Sequence, residues 1–114
     1  MSELLNEKCV PCEGGVLPFD ISEIHKYQKK VDGWDILKGK DETFFLSKKF
    51  KFENFLKSQV FVNEVCKISE DEGHHPDISF GWGYAVIKIS THAIKGLSKN
   101  DFILAAKIDK KTNV

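Results

Sequence analysis

Hydrophobic positions along the chain recur with two different periods, which separate the predicted helices from the predicted strands. Spacings of three and four residues predict helices over residues 20–31, 53–72 and 99–111. Alternation with a period of two predicts strands over residues 34–37, 43–52 and 77–91, and glycines at 81 and 83 indicate a hairpin or bulge in the last stretch. Because hairpins rather than strand–helix–parallel-strand crossovers link these elements, the pattern predicts a two-layer α+β fold, with a four-stranded antiparallel sheet and helices packed on one face.

The same two periods predict which side chains form the core. On the strands, the inward positions are Phe44, Leu46, Phe50, Phe52, Ala85, Ile87 and Ile89. On the first and last helices, they are Ile21, Ile24, Val31, Leu104, Ala105 and Ile108. Asp20 or Ser22 is the expected N-cap of the first helix. Residues 1–18 contain tight spots at Pro11 and Gly14 and predict an irregular lead-in to a single domain that spans residues 1–114.

The long helix predicted over residues 53–72 has one apolar stripe and two apolar residues outside it. The stripe and its flanks comprise Phe55, Ser58, Phe61, Val62, Val65, Cys66, Ile68 and Ser69. We therefore expect Cys66 to lie in the core. Leu56 and Val60 fall outside the stripe and indicate a second contact surface. Gly73 is the residue type that commonly ends a helix in the left-handed conformation.

Composition and charge narrow the function classes. Lys+Arg and Asp+Glu both count 17 in 114 residues, so no overall positive field favours nucleic acid. No apolar run approaches the roughly 18 residues of a membrane span, and the first residues lack the pattern of a signal peptide. Three cysteines, an odd number, argue against a secreted disulfide framework, so we expect a cytoplasmic protein.

Three of the four histidines lie where two predicted elements end. Gly73 ends the long helix, and Pro76 disfavours the helical conformation for His75, so His74 and His75 emerge beyond the helix among several carboxylates. His92 follows 17 residues after His75, at the end of an inner strand that an antiparallel sheet could return to the same turn. Histidine titrates near neutral pH, so this cluster predicts a proton-transfer site.

Other interpretations of these side chains remain open at this point. His-His-Pro is also typical of a polar loop, and a histidine at position 92 can simply follow the strand. The spacing is wrong for a helical metal-binding pair, and adjacent histidines seldom reach one ion, so no metal is expected. Asp101 either bonds back to the backbone of Ser98 as a helix cap or orients a histidine, and the pattern favours the cap.

Two further features carry weak signals. Cys9 and Cys12 form a lone Cys-x-x-Cys motif outside any thioredoxin-like context, which favours a plain N-terminal turn. His25 is expected to be a solvated helix residue.

The spacing of the candidate side chains resembles a known signature. It consists of Glu70-x-x-x-His74-His75-Pro76, five residues to Trp82, nine more to His92 and eight more to Asp101. This pattern is similar to that of the pterin-4a-carbinolamine dehydratases. The similarity extends to the Cys-x-Pro-Cys-Glu-Gly-Gly segment near the start, Gly33-Trp34, Phe50-Lys51-Phe52 and Gly96-Leu97-Ser98, and so spans nearly the whole chain.

The resemblance implies an activity and a role for each site residue. The implied reaction is dehydration of 4a-hydroxytetrahydropterin to the quinonoid dihydropterin, an elimination that needs no metal or redox cofactor. By this similarity His74 and His92 are the acid–base candidates, and His75 binds and orients the pterin. The supporting positions are Glu70 and Asp101, which would set histidine orientation or charge, Pro76, and Trp82, which would support the site wall.

The resemblance also implies partners. Members of the family form dimers or tetramers through sheet and helix contacts, which is consistent with the stray Leu56 and Val60. The resemblance also implies a pterin-dependent hydroxylase, whose used cofactor this reaction would recycle. Some relatives also act as dimerisation cofactors of a transcription factor, so a regulatory protein-binding role and a pterin binder without turnover remain alternatives.

Overall fold

The computed structural model describes residues 2–7, 9 and 17–112 of the chain. Its elements, in order, are α1 (Ser2–Leu5), α2 (Ile21–Gln28), β1 (Asp35–Lys38), β2 (Phe44–Lys51), α3 (Phe55–Glu72), β3 (Asp77–Gly81), β4 (Tyr84–Ile89), a 3₁₀ turn (His92–Ile94) and α4 (Lys99–Thr112). The strands form one antiparallel sheet in the order β1-β2-β4-β3, with helices on one face. The predicted two-layer α+β fold is confirmed.

The register of the sheet places the alternating apolar residues on the face that the helices cover. Leu46 pairs with Ile89 and Phe50 with Ala85 across the central strands, and all four side chains are buried. Because side chains alternate between the two faces, the neighbours of these residues point away from the helices. The predicted inward positions of β2 and β4 are therefore confirmed, as is the buried stripe of α4 at Leu104, Ala105 and Ile108.

The predicted buried stripe of α3 is confirmed at Ser58, Val62, Val65 and Ser69, but its start and its flanks differ from the prediction. Phe61, predicted to flank the stripe, is buried within it, whereas Phe55 is 48% exposed and contacts the Phe80 ring in a tilted arrangement at a centroid distance of 5.5 Å. Cys66 is exposed, so its predicted place in the core is wrong. The ion pairs that Lys107 and Lys111 make with Glu72 and Glu64 show that α4 packs on the Phe61 side. Cys66 lies five residues from Phe61, which is roughly 140° round the helix at about 100° per residue, and so faces away from α4.

The described residues of the N-terminal segment include a helix that the pattern did not predict. A four-residue helix, α1, occurs where an irregular lead-in was predicted, and its Leu4 is 1% exposed in the core. The first predicted helix is shorter than expected, and Asp20 is its N-cap. Ile24 and Val31 are buried as predicted, but Ile21 is 48% exposed because it begins the helix at the rim of the core. Cys12 lies outside the described residues.

A polar cluster joins α4 to the inner face of the sheet. Lys48 points inward from β2, and its Nζ donates to Oδ1 of Asp109 at 2.8 Å. The indole Nε1 of Trp34 donates to Oδ2 of the same carboxylate at 3.0 Å. The Asp109 side chain is 5% exposed and that of Lys48 18%. One buried carboxylate of α4 therefore binds β2 and Trp34, the residue just before β1.

Cys9 is held against the same helical layer. Its backbone N–H donates to Oε1 of Glu72 at 2.9 Å, and its thiol contacts the carbonyl of Asn100 at 3.5 Å. Burial, and next the negative charge of Glu72, raise the pKa of the Cys9 thiol from 9.0 to about 12. The folded-state pKa is therefore higher than that of the unfolded chain. The resulting stabilisation is complete below pH 9 and is lost between pH 9 and about 12.

This environment predicts a large difference in thiol reactivity. At pH 8 we expect iodoacetamide to modify the exposed Cys66 readily and Cys9 hardly at all, because the thiolate is the reacting species. Peptide mass spectrometry after timed alkylation measures each site separately, and in concentrated urea both sites should react. Modification of Cys9 as fast as Cys66 in the folded protein would contradict the burial of Cys9.

Candidate active site

The two adjacent histidines emerge from a helix end that forms as predicted. Gly73 adopts φ +66°, and its N–H bonds to the carbonyl groups of Ser69 and Glu70. The His74 N–H bonds to the Ser69 carbonyl at 3.1 Å, which closes the turn. A left-handed residue here suits glycine, because a Cβ would be strained at this φ. The chain therefore leaves α3 sharply, and the two imidazoles diverge.

His74 is held by a carboxylate at the start of α4. Its Nε2 lies 2.6 Å from Oδ1 of Asp101, which is fully buried. The other oxygen, Oδ2, accepts from the Ser98 N–H and from the Thr91 hydroxyl, each at 2.8 Å. Asp101 is thus both the predicted helix cap and the partner of a histidine.

The Asp101 contact also sets the protonation of the His74 ring. A carboxylate can only accept hydrogen bonds, so Nε2 carries a proton, and in the neutral ring Nδ1 is left as the acceptor. The only nitrogen of His74 that can exchange a proton with a ligand is therefore Nδ1. The contact with Thr91 further links His74 to the residue before His92.

His75 pairs with Glu70 in a more open setting. Nε2 of His75 lies 2.6 Å from Oε2 of Glu70, with side-chain exposures of 61% and 77%. Exposed ion pairs contribute little to stability because water screens them. The pair therefore orients the ring rather than stabilising the fold.

His75 and His92 line one cleft of about 280 Å³ at an end of the sheet. The residues that line it are Gly39, Asp41, Thr43, Phe45, His75, Asp77, Lys88, Ile89, Ser90 and His92. His92 begins the 3₁₀ turn that follows β4 and is exposed. Among the described residues, none makes a hydrogen bond to its ring.

The sheet topology explains why distant segments meet at this cleft. Asp77 pairs with Lys88 at one end of the β3–β4 hairpin, which brings His75 beside the end of β4. The antiparallel pairing of β2 with β4 brings the β1–β2 turn to the same end. His92 therefore lies near the Gly73 turn, as an antiparallel sheet led us to expect. It lies on the side of that turn that carries His75.

The remaining candidates occupy different positions. The His74 side chain is 14% exposed and does not line the cleft, although its Asp101 partner bonds to Thr91 beside His92. Pro76 lies between two lining residues, His75 and Asp77. Trp82 is 72% exposed in the β3–β4 turn, at the opposite end of β3 from the cleft. Within one chain, Trp82 is therefore not brought to the cleft wall. His25 is exposed on α2, as predicted.

The acidic last turn of α3 pairs with residues of the fold as well as with a histidine of the candidate site. Glu72, only 7% exposed, accepts from Lys107 Nζ at 2.6 Å and from the Cys9 N–H. This pairing offsets the unfavourable position of a carboxylate at a helix C-terminus. The charge pattern at residues 70–72 is thus only partly explained by the histidines.

Several cleft residues were missed by sequence reasoning. Asp41, Thr43 and Phe45 come from the β1–β2 hairpin, and Lys88 lies on β4 with its ammonium 5.7 Å from the Phe45 ring centre. The turn itself was predicted, but only the pairing of β2 with β4 places it beside the histidines. No local signal carries that information.

Two features are absent from the described part of the chain. Among residues 2–7, 9 and 17–112, no three His, Cys, Asp or Glu side chains are grouped so that they could hold a metal ion. Over the same ranges, no helix has the length and apolar character needed to cross a membrane.

The fold and the cleft define a small two-layer α+β domain that presents imidazoles and carboxylates at one end of its sheet. The sequence profile described as pterin 4 alpha carbinolamine dehydratase matches residues 18–111, and the chain belongs to this family. A Rubrobacter xylanophilus protein named "Putative pterin-4-alpha-carbinolamine dehydratase" is 43% identical over 110 residues, or 96% of this chain and 99% of the relative. A protein of the same name from Rickettsia canadensis is 45% identical over 97% of this chain and 99% of its own length.

Solved structures of other proteins share this fold. A transcriptional coactivator/pterin dehydratase from Brucella melitensis aligns with a TM-score of 0.74 and 22% identity, covering 82% of this chain and 96% of that one. A pterin dehydratase-like protein, described as a RuBisCO assembly factor in the alpha-carboxysome, aligns with a TM-score of 0.58 and 24% identity over 68% and 87%. At these identities the likeness supports the fold alone.

Proposed function

We propose that the protein is a hydro-lyase that eliminates water from 4a-hydroxytetrahydropterin and releases the quinonoid dihydropterin. The observation that carries this proposal is the cleft shared by His75 and His92, with the His74–Asp101 pair beside it. Membership of the dehydratase family, whose profile covers most of the chain, supports the reaction class.

The proposed reaction requires two proton transfers. The C4a–O bond breaks, and because hydroxide is a poor leaving group, a general acid must protonate the departing oxygen. A general base must remove the proton from N5, so that the electron pair of that N–H bond forms the new C4a=N5 double bond. Water and the dihydropterin account for all atoms, and no electrons leave the substrate. Each transfer assisted by a positioned side chain contributes roughly 10²–10⁴-fold.

Histidines suit both transfers because they exchange protons near neutral pH. We assign one transfer to His92, whose ring is exposed in the cleft, and the other to His74, which Asp101 orients through Nε2. His75 binds and orients the pterin, with Glu70 fixing its ring. Pro76 disfavours the helical conformation for His75 and so favours an extended backbone there, at the edge of the cleft.

The direct test is the decay of 4a-hydroxytetrahydropterin, generated in situ and followed by stopped-flow absorbance with and without the protein. We expect acceleration that saturates with substrate. For His75→Ala we expect a rise in KM of about tenfold with a smaller change in kcat, because the loss is chiefly one of binding. Glu70→Gln is the milder control, since its pair with His75 is exposed. Absence of any acceleration by the unmodified protein would refute the activity.

The same assay separates the alternatives. A pterin binder without turnover would bind a stable dihydropterin but leave the decay rate unchanged. A regulatory or self-association role is favoured by one observation, the exposure of Leu56 (65%) and Val60 (54%) on α3. We propose that this surface serves a homodimer or homotetramer, or a regulatory partner, and that the protein acts in the cytoplasm beside a pterin-dependent hydroxylase.

A further inference from the structure

The β1–β2 hairpin supplies the part of the cleft that does not come from the histidine segments. Gly39, Asp41, Thr43 and Phe45 line it from this hairpin, and His75 and His92 line it from the helix end and the 3₁₀ turn. Lys95, which ends that 3₁₀ turn, is close enough to Asp41 to act on its charge. A flat ligand in the cleft therefore contacts the histidines and the hairpin together.

Asp41 presents a preoriented anion to this space. Its Oδ1 accepts the backbone N–H of Thr43 at 3.1 Å, and the hairpin is closed by the Gly39 N–H bonding to the Thr43 carbonyl at 2.9 Å. The bond from Thr43 chiefly, and the positive charge of Lys95 to a lesser extent, hold the pKa of Asp41 below its ordinary value. The group is thus a carboxylate throughout the neutral range.

The chemistry of this anion matches one edge of a pterin ring. A carboxylate only accepts hydrogen bonds, and two adjacent N–H donors in one plane pair with it in the geometry of an arginine fork. The 2-amino group and N3–H of the amino-pyrimidinone ring form such a pair of donors. The half-buried Phe45 ring offers a face for stacking next to it, beneath the Lys88 ammonium.

We infer that Asp41 recognises the amino-pyrimidinone edge of the ligand and that the β1–β2 hairpin sets selectivity for 2-amino pteridines. This inference rests on the proposed pterin dehydratase function. On this assignment, the hairpin binds the end of the ring that does not react, and the histidines lie beside the end that does.

The test is equilibrium binding of 7,8-dihydropterin, measured by fluorescence titration, to the unmodified protein and to Asp41→Asn. We expect Kd to rise on the order of tenfold in the variant, because a charge-assisted contact is lost from a site still open to solvent. The amide oxygen of Asn can still accept from the Thr43 N–H, so the hairpin is retained. Glu42→Gln is the matched control, because it removes the same charge one residue away. Glu42 pairs with Lys38 and does not line the cleft.

A second ligand separates recognition from a general charge effect. 7,8-Dihydrolumazine carries an oxygen in place of the 2-amino group of 7,8-dihydropterin, so the unmodified protein should bind it more weakly than the 2-amino pteridine. In Asp41→Asn this preference should shrink by about tenfold. An unchanged preference, or a loss carried by Asp77→Asn instead, would overturn the assignment. Failure of the unmodified protein to bind either ligand would instead remove the pterin function on which the inference depends.

Discussion

Replacing His92 by alanine is expected to lower kcat for the dehydration by about 10²–10⁴-fold, the usual contribution of one positioned acid or base. The ring lies in the cleft with His75 and, within the described residues, takes part in no hydrogen bond of the fold. Its removal should therefore leave the free energy of unfolding within about 0.5 kcal/mol of the original. Stopped-flow kinetics and urea denaturation on the same preparation measure both quantities.

The matched control for this variant is His25→Ala. His25 is exposed on α2, and its one hydrogen bond to a side chain within the described part of the chain is a contact of 3.4 Å with Gln28 on the same helix. Its replacement should change neither kcat nor KM. Undiminished turnover in His92→Ala would defeat the assignment of a proton transfer to this ring, and a comparable loss in His25→Ala would point to a nonspecific effect.

Replacing Asp109 by alanine is expected to destabilise the fold by about 3 kcal/mol, at the lower end of the range for removing one partner of a buried ion pair. Two buried donors, the Lys48 ammonium and the Trp34 indole N–H, lose their acceptor at once. The 18% exposure of Lys48 and its remaining bond to the Asp32 carbonyl moderate the loss. The free energy of unfolding from urea denaturation measures the effect.

A double variant separates the ion pair from the packing. Asp109→Leu with Lys48→Met removes both charges together and should recover a large part of the stability, because no uncompensated charge remains buried. Asp35→Ala, an exposed carboxylate of β1, should change the stability by less than about 0.5 kcal/mol. A loss below about 1 kcal/mol in Asp109→Ala would show that the cluster contributes little.

The fold was largely predictable because its elements carry strong local patterns. Ala85, Ile87 and Ile89 alternate with polar neighbours, and all three are fully buried on the covered face. The predictions of buried residues are wrong where two faces of a helix have similar sequences and only tertiary packing decides which face is buried. Cys66 and Phe61 flank the same helical stripe, and only the position of α4 decides that Phe61 is buried and Cys66 exposed.

The candidate site was predictable in its histidines but not in its surroundings. The pattern around His74 and His75 indicated a cluster, and the antiparallel sheet expected from it suggested that His92 would return toward them. Asp101 was expected to cap a helix, and the buried carboxylate also holds His74, a contact between residues 27 apart.

By itself, the sequence determined the features that depend on short-range sterics. The left-handed end of α3 at Gly73, the extended exit imposed by Pro76 and the alternation of β4 follow from neighbouring residues alone. Only the tertiary structure decided that β2 lies beside β4, which places Asp41 and Phe45 in the same cleft as His92. Strand order depends on how the whole core packs between sheet and helices, and no local spacing of residues encodes that choice.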